Sequence, residues 1–271
     1  MPRLSHCHLL HAAVLALLAA SSTAGAHGIW LAPEERSQKP GADVRLTLSA
    51  GERFPAQDAS LERDSIERAA CRQRNAAVPV RMMGGNGKKP LRLQGTPPLT
   101  GGVLCWVQLR PSARVLAPEH IAPYLDDMDA SAELRQAWAS VPEPRRWHET
   151  ITRNAKVIVP MRGQPSASGM RPVGLQLEFV PDTDLSSGVV RGTLAAQVLL
   201  GGLPLAGLSV ELLGEHKGDT QRQRSDARGM VRFPAPGPGR WMLSGTDLRM
   251  ADAKNGVWQS QAATLVFEIL H

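Results

Sequence analysis

Hydrophobic positions early in the chain fall in short runs that alternate or are rich in β-formers, each bounded by glycine or proline. Val44 to Ser49, Pro79 to Met83, Leu91 to Gln94 and Val103 to Arg110 are of this kind and predict strands. One stretch departs from that period. Across Pro118 to Val141, the residues Ile121, Leu125, Met128, Leu134 and Trp138 recur at near-helical spacing, and Pro118 and Glu119 suit a first helical turn. The run Asp126 to Ser131 divides this segment into two expected helices. A third short helix or extended turn is expected over Arg145 to Lys156, stopped by a strand at Val157 to Pro160.

Between Met161 and Pro172, Gly163, Gln164, Pro165, Ser166, Ser168 and Gly169 interrupt any period and mark a boundary. Beyond it the pattern is β alone. Leu175 to Val180, Val190 to Leu199, Ser209 to Leu213, Met230 to Phe233, Trp241 to Ser244 and Ala263 to Ile269 have strand length. Turn signals separate them, among them Gly201-Gly202, Asp226-Ala227-Arg228-Gly229 and Pro236-Gly237-Pro238-Gly239. The expected fold is mainly β: two β-sandwich-like domains, residues 27–162 with a helical insertion and residues 173–271. A chain with 42% hydrophobic residues is long enough for two cores of about a hundred residues each.

The first 26 residues have a separate purpose. A basic start at Arg3, an apolar run from Leu9 to Ala20 and the small residues Ser21 to Ala26 form the three-part layout of an export signal. The apolar run is well short of the roughly 20 residues that cross a bilayer, and Ala24-Gly25-Ala26 supplies a cleavage pattern. Cleavage is expected after Ala26, releasing the chain without a membrane anchor into the periplasm of a bacterium. Cys7 precedes the apolar run and is badly placed for a lipoprotein anchor. Cleavage also removes His6, Cys7, His8 and His11, so these form no site in the mature chain.

Two cysteines remain, Cys71 and Cys105, and an even pair in an exported chain points to a disulfide, with two buried thiols as the alternative. The formal net charge is +6, or +5 once Arg3 is lost. The basic residues are scattered among acids, without the basic stripe interleaved with aromatics that nucleic-acid binding needs. A nucleophile elbow, a phosphate-binding glycine loop, H-E-x-x-H and C-x-x-C are all missing from the sequence, so no enzymatic activity is expected.

The most informative residue is His27, which cleavage would make the first of the mature protein. A free α-amine, with a reference pKa of about 7.7 to 8, and an imidazole, with one near 6.5, can chelate one metal ion close to neutral pH. Such nitrogen pairs suit Cu(II), Ni(II), Co(II) and Zn(II), copper most tightly. Of the other histidines, His216 lies in a polar turn and His271 is the last residue; both are expected to be solvated. His120 and His148, on or near the helical insertion, and Asp247, just beyond the Trp241 strand, are the candidate further ligands. Met82 or Met83 could add a thioether, although core packing is the ordinary role of such residues.

Two resemblances extend this picture. Gly202-Leu203-Pro204-Leu205-Ala206-Gly207, Val210, Ser225-Asp226-Ala227-Arg228-Gly229, Phe233 and Pro238-Gly239-Arg240-Trp241 together resemble the carboxypeptidase-regulatory-like, or prealbumin-like, sandwich. The opening His27-Gly28-Ile29-Trp30-Leu31-Ala32-Pro33, with Lys39-Pro40-Gly41, Gly51-Glu52-Arg53-Phe54-Pro55, Tyr124-Leu125, the segment Glu149 to Lys156 and Gly245 to Arg249, resembles a periplasmic family of unknown function associated with nickel or cobalt uptake. That resemblance spans nearly the whole mature chain. It implies a metal at His27, attention to Glu149, Arg153 and Lys156, and a membrane metal-uptake system as partner. Many relatives carry a histidine near the position of Asp247, and an oxygen ligand there would favour harder or octahedral ions.

The expected function is therefore a periplasmic protein that binds Ni, Co or Cu at a mature N-terminal histidine. Two alternatives stand beside it: an envelope binding or structural module in which His27 is incidental, and a copper enzyme using His27 with His120 or His148.

Overall fold

The computed structural model describes residues 28–35, 42–56, 59–87, 89–161 and 165–270. Strands β1 (Gly28–Pro33), β2 (Val44–Gly51), β3 (Ala59–Ser60), β4 (Ile66–Gln73), β5 (Ala76–Val78), β6 (Val80–Met83), β7 (Leu91–Gly95), β8 (Val103–Leu109) and β9 (Ser112–Leu116) come first. Helices α1 (Pro118–Asp127) and α2 (Ala132–Ala139) follow. After them come β10 (Trp147–Val159), β11 (Leu177–Pro181), β12 (Thr193–Leu200), β13 (Leu203–Pro204), β14 (Ser209–Gly214), β15 (Thr220–Arg224), β16 (Met230–Pro234), β17 (Gly239–Asp252) and β18 (Val257–Ile269). The architecture is mainly β, with the two short helices inserted ahead of β10.

A nine-stranded sheet in the order β15-β14-β17-β18-β10-β8-β4-β5, with β9 also on β10, is the middle layer. Its centre is the parallel pairing of β10 with β18, from His148 opposite Val257 to Val157 opposite Val266. Strands from before residue 161 and after residue 172 thus share one hydrogen-bonded sheet. A five-stranded sheet (β1-β2-β7-β6, with β3 on β2) and a four-stranded sheet (β11-β12-β13, with β16 on β12) complete the fold.

Alternate side chains of a strand point to opposite faces, so the middle sheet has two differently covered sides. On β10, Ala155, Val157 and Val159 join Trp30, Leu46 and Leu48 of the five-stranded sheet in one core. Ile158 on the other side joins Phe179, Val198 and Phe233 of the four-stranded sheet in a second core. Nearer the start of β10, Trp147 projects to the first side and packs with Tyr124 and Leu125 of α1 and Trp258 of β18. The Trp147 and Trp258 rings stack at 4.2 Å and 10°. One face of the middle sheet is therefore covered twice, by the five-stranded sheet and by the helices.

A disulfide ties neighbouring strands of the middle sheet, and an ion pair ties that sheet to the four-stranded one. Cys71 and Cys105 sit opposite one another on β4 and β8 and form a buried disulfide. On the opposite face of β10, the buried Lys156 Nζ donates to Glu178 Oε1 at 2.7 Å and to the Phe179 carbonyl at 2.8 Å. Glu178 also accepts the amides of Val173, Gly174 and Leu175, which satisfies the buried carboxylate. Burial pushes the Lys156 ammonium below the usual lysine range, and Glu178 opposes that shift.

The helical insertion forms as its spacing predicts, with Pro118 in the first turn of α1 and the Ser131 hydroxyl accepting the Leu134 amide at 3.4 Å to start α2. Arg145 to Lys156 is different: it holds no helix, and from Trp147 it is the first part of β10. Trp147, Glu149 and Ile151 are buried while His148 and Thr150 are exposed, a period of two that Thr150, Ile151 and Thr152 reinforce through their β-branched side chains. The Trp241 strand runs on to Asp252, so Asp247 lies within β17 and not beyond it, and His148 lies on β10 and not on the helical insertion. Strand β4, with Glu67, Arg68 and Arg72 along it, and the polar edge strand β15 carry too little hydrophobic alternation to be read from sequence.

Candidate functional site

A cavity of about 320 Å³ opens between the two covers of the middle sheet. Its floor is the pleat of β10, β17 and β18, including Arg153 and Thr246. One wall is the start of β1 at Gly28 together with Glu52, and another is the end of α1 at Tyr124 and Asp127. Ser209 and Glu211 of β14, with Arg222 of β15, close the remaining side. The volume lies at the lower end of small-molecule sites, roughly 300 to 1,000 Å³.

Glu149 organises the region beneath Arg153. These two residues are four apart on a strand, an even spacing that puts both on one face. The buried Glu149 carboxylate accepts two hydrogen bonds from the Arg114 guanidinium at 3.1 Å each, one from the Tyr124 hydroxyl at 2.9 Å, one from Trp147 Nε1 at 2.9 Å and a short one from the Ser260 hydroxyl. Arg114 also lies over the Tyr124 ring, 4.5 Å from its centroid. Burial raises the Tyr124 phenol well above its ordinary value, and the neighbouring negative charge of Glu149 adds to the effect.

The other arginines on or near the cavity wall are used unequally. Arg222 pairs with Glu211 and donates to the Asp127 carbonyl at 3.3 Å, while Arg224 donates to the Asp129 carbonyl at 2.6 Å, so β15 ties down the end of α1. Arg153 donates to the Ser112 hydroxyl at 3.3 Å, and no carboxylate among the described residues pairs with it. Burial pushes its guanidinium down from the ordinary arginine value, and nearby Arg114 pushes the same way. The Asp127 carboxyl moves up because of burial and the negative charges of Glu211 and Asp126. The cavity therefore offers a cation in Arg153 and an acid in Asp127 whose ionised form a bound cation would favour.

The sequence-predicted ligands do not converge. His27 lies outside the described residues, as does His271. His120 is half-buried on α1, and His148 is exposed on β10, on the face opposite Glu149 and Arg153. Asp247 pairs with Arg249 at 2.8 Å, away from the cavity floor that its neighbour Thr246 forms. His216 is exposed near the turn between β14 and β15. Among the described residues no three His, Cys, Asp or Glu side chains group as a metal site. Of the residues singled out by resemblance, Glu149 and Arg153 share the cavity face, whereas Lys156 faces Glu178 on the other side.

The family model described as "Domain of unknown function (DUF4198)" matches residues 24–246, most of the chain and all of the cavity apart from its β18 floor. The chain belongs to the DUF4198 family. No curated protein matches it. Among solved structures, the D00-D0 domain of Intimin is similar over 90% of this chain and 100% of its own, at 9% identity and a TM-score of 0.21. The native alpha-2-macroglobulin from Escherichia coli spanning domains MG0-NIE-MG1 is similar over 89% and 97%, at 11% identity and 0.23. The Yersinia pseudotuberculosis adhesin InvE is similar over 88% and 58%, at 10% identity and 0.19. Likeness at this level assigns no ligand or partner to this DUF4198 chain.

Ser209, Glu211, Arg222 and Asp127 are cavity residues that the sequence analysis does not single out. The Glu149–Arg153 spacing is the signal that was open to it: two ionisable residues at even spacing on a strand whose neighbours are apolar share one face.

Proposed function

We propose that the chain is an exported transition-metal-binding protein, accessory to nickel or cobalt uptake, that holds its ion at His27 once the signal is cleaved after Ala26. The observation that carries this reading is the position of β1. Gly28, bonded directly to His27, forms part of the cavity wall. In the β1–β2 register Gly28 is opposite Gly51, and the residue that follows β2 is Glu52, another cavity residue. Asp127 and Glu211 add negative charge to the surroundings of a cation.

The amine and imidazole of a first-residue histidine provide the grip, the carboxylates provide a favourable field, and a membrane uptake system receives the ion. Among the described residues no helix is long and apolar enough to cross a membrane. Calorimetric titration of Ni(II) and Co(II) into the correctly processed protein tests the reading. One ion per chain is expected, with affinity reduced at least about tenfold, 1.4 kcal/mol, by a single extra residue ahead of His27. Equal affinity with and without the extension would refute it.

A further inference from the structure

We infer that the cavity binds a free amino acid as its zwitterion, with the carboxylate held by Arg153 and the ammonium group drawn to the acidic side on which Asp127 stands. This is a second ligand, with a site of its own, and it does not rest on the metal reading above.

The strand register lays out the cavity floor, because residues opposite one another on neighbouring strands share a face. Arg153 of β10 is opposite Ala262 of β18, and Ala262 is opposite Thr246 of β17. In the next row on the same face, Thr264 is opposite Ser244, Ser244 opposite Glu211 and Glu211 opposite Arg222. Long charged side chains therefore stand at the two sides of the floor, and short ones fill the strands between them. Neighbouring strands lie about 4.8 Å apart, so β10 and β14, three spacings from one another, are separated by roughly 14 Å. The room above the short side chains is the cavity, and about 320 Å³ suits a free amino acid and not a long peptide.

The charges around this space are unevenly answered. Arg114 is occupied by Glu149 and Arg222 by Glu211, but Arg153 meets no carboxylate among the described residues and spends one hydrogen bond on Ser112. A guanidinium presents five N–H donors in a fork that matches a carboxylate, so most of the Arg153 donors are open to a ligand. The Ser209 hydroxyl, two residues before Glu211 and on the same face of β14, is buried and makes no hydrogen bond among the described residues, although buried polar atoms seldom stay unsatisfied. On the acidic side, burial and the charges of Glu211 and Asp126 disfavour the ionised form of Asp127, and Arg222, already paired with Glu211, offsets this only in part. An ammonium group beside Asp127 would relieve that strain. A simple anion would satisfy Arg153 but face these acids, and a simple cation would face Arg153. A molecule that carries both charges satisfies both sides.

The test adds the common L-amino acids one at a time to isotope-labelled, processed protein in metal-free phosphate buffer and follows the backbone amide shifts by NMR. At least one amino acid is expected to shift Arg153, Thr246 and Asp127 saturably. Its N-acetyl form, which lacks the ammonium group, and its carboxamide, which lacks the carboxylate, should each bind at least about tenfold more weakly. Arg153→Gln should weaken the free amino acid by a similar factor and leave the carboxamide unchanged. Arg153→Lys, which keeps the charge but loses the fork, should fall between the two. Asp127→Asn should weaken the free amino acid but not its N-acetyl form, and Arg249→Gln, whose partner is Asp247, should change nothing. Circular dichroism checks the fold of each variant, and Arg153→Lys carries the test if the glutamine variant does not fold. Saturable shifts at the cavity from none of the amino acids would overturn the proposal, as would an N-acetyl form or a carboxamide that binds as tightly as the free amino acid. With no metal in the buffer, neither result bears on whether an ion is held at the amino terminus.

Discussion

Replacing Glu149 by glutamine removes one charge from a buried cluster while keeping its volume. The carboxylate takes hydrogen bonds from Arg114, Tyr124, Trp147 and Ser260, and its own side chain is wholly buried. Glutamine offers one acceptor oxygen to these four residues and turns an NH2 group toward the rest. Breaking a buried ion pair by removing one partner costs about 3 to 5 kcal/mol. The Arg114 side chain is 18% exposed and can regain some solvation, which sets the expected loss near the lower end, about 3 kcal/mol. With a urea dependence of about 2 to 3 kcal/mol per molar, the unfolding midpoint should fall by about 1 to 1.5 M. Equilibrium urea unfolding followed by tryptophan fluorescence measures this, since Trp147 and Trp258 stack beside the cluster. Adding Arg114→Gln to Glu149→Gln should cost less than the sum of the single changes, because the second removes a charge already left without its partner. A midpoint shift under about 0.2 M with strictly additive double-mutant costs would refute the reasoning and mean that water already serves this carboxylate.

Three further outcomes follow from the same structure. Tyr124 is the one tyrosine of the sequence, so ultraviolet detection of phenolate reports on it alone. Its folded-state pKa is raised above the unfolded value of about 10. The stability it contributes is therefore complete below pH 10 and lost as pH rises through the folded value, and phenolate should appear only in step with unfolding; half-ionisation near pH 10 in folded protein would contradict this. Replacing Cys71 and Cys105 by serine opens a loop with a sequence separation of 34, which on the chain-entropy model costs about 3 to 4 kcal/mol in thermal or urea unfolding. Gly207 and Gly229 both have positive φ, but a Cβ at Gly207 meets open space whereas one at Gly229 would lie 2.6 Å from the Val198 carbonyl oxygen. Gly207→Ala should thus cost about 1 to 2 kcal/mol from the left-handed backbone alone, and Gly229→Ala distinctly more by the same unfolding assay.

Much of this fold was legible because apolar spacing and turn residues agreed. The near-helical spacing of Ile121, Leu125 and Leu134, with the break at Asp126 to Ser131, marked both helices. The start of β10 was obscured by the polar residues it buries: Glu149, Asn154 and Lys156 are almost completely enclosed, so the outward sign of a solvent-facing helix or turn was misleading. What makes those positions tolerable is distant in sequence, namely Arg114 for Glu149 and Glu178 for Lys156. The cavity was hidden for the same reason. Arg153, Thr246 and Glu211 line one cavity because β10 pairs with β18, β18 with β17 and β17 with β14, and a parallel pairing across a hundred residues leaves no local mark. The disulfide was within reach of sequence because, with Cys7 assigned to the export signal, the two remaining cysteines admit a single pairing.

Whether a metal ion binds at the amino terminus, as proposed, is most directly measured with paramagnetic Cu(II), added below one equivalent to isotope-labelled, processed protein while amide resonances are followed by NMR. The account predicts that signals of Gly28 and Arg153 broaden first and most strongly, while those of His148 and His216 persist. Broadening centred on His148, His120 or His216, with Gly28 and Arg153 left sharp, would contradict it.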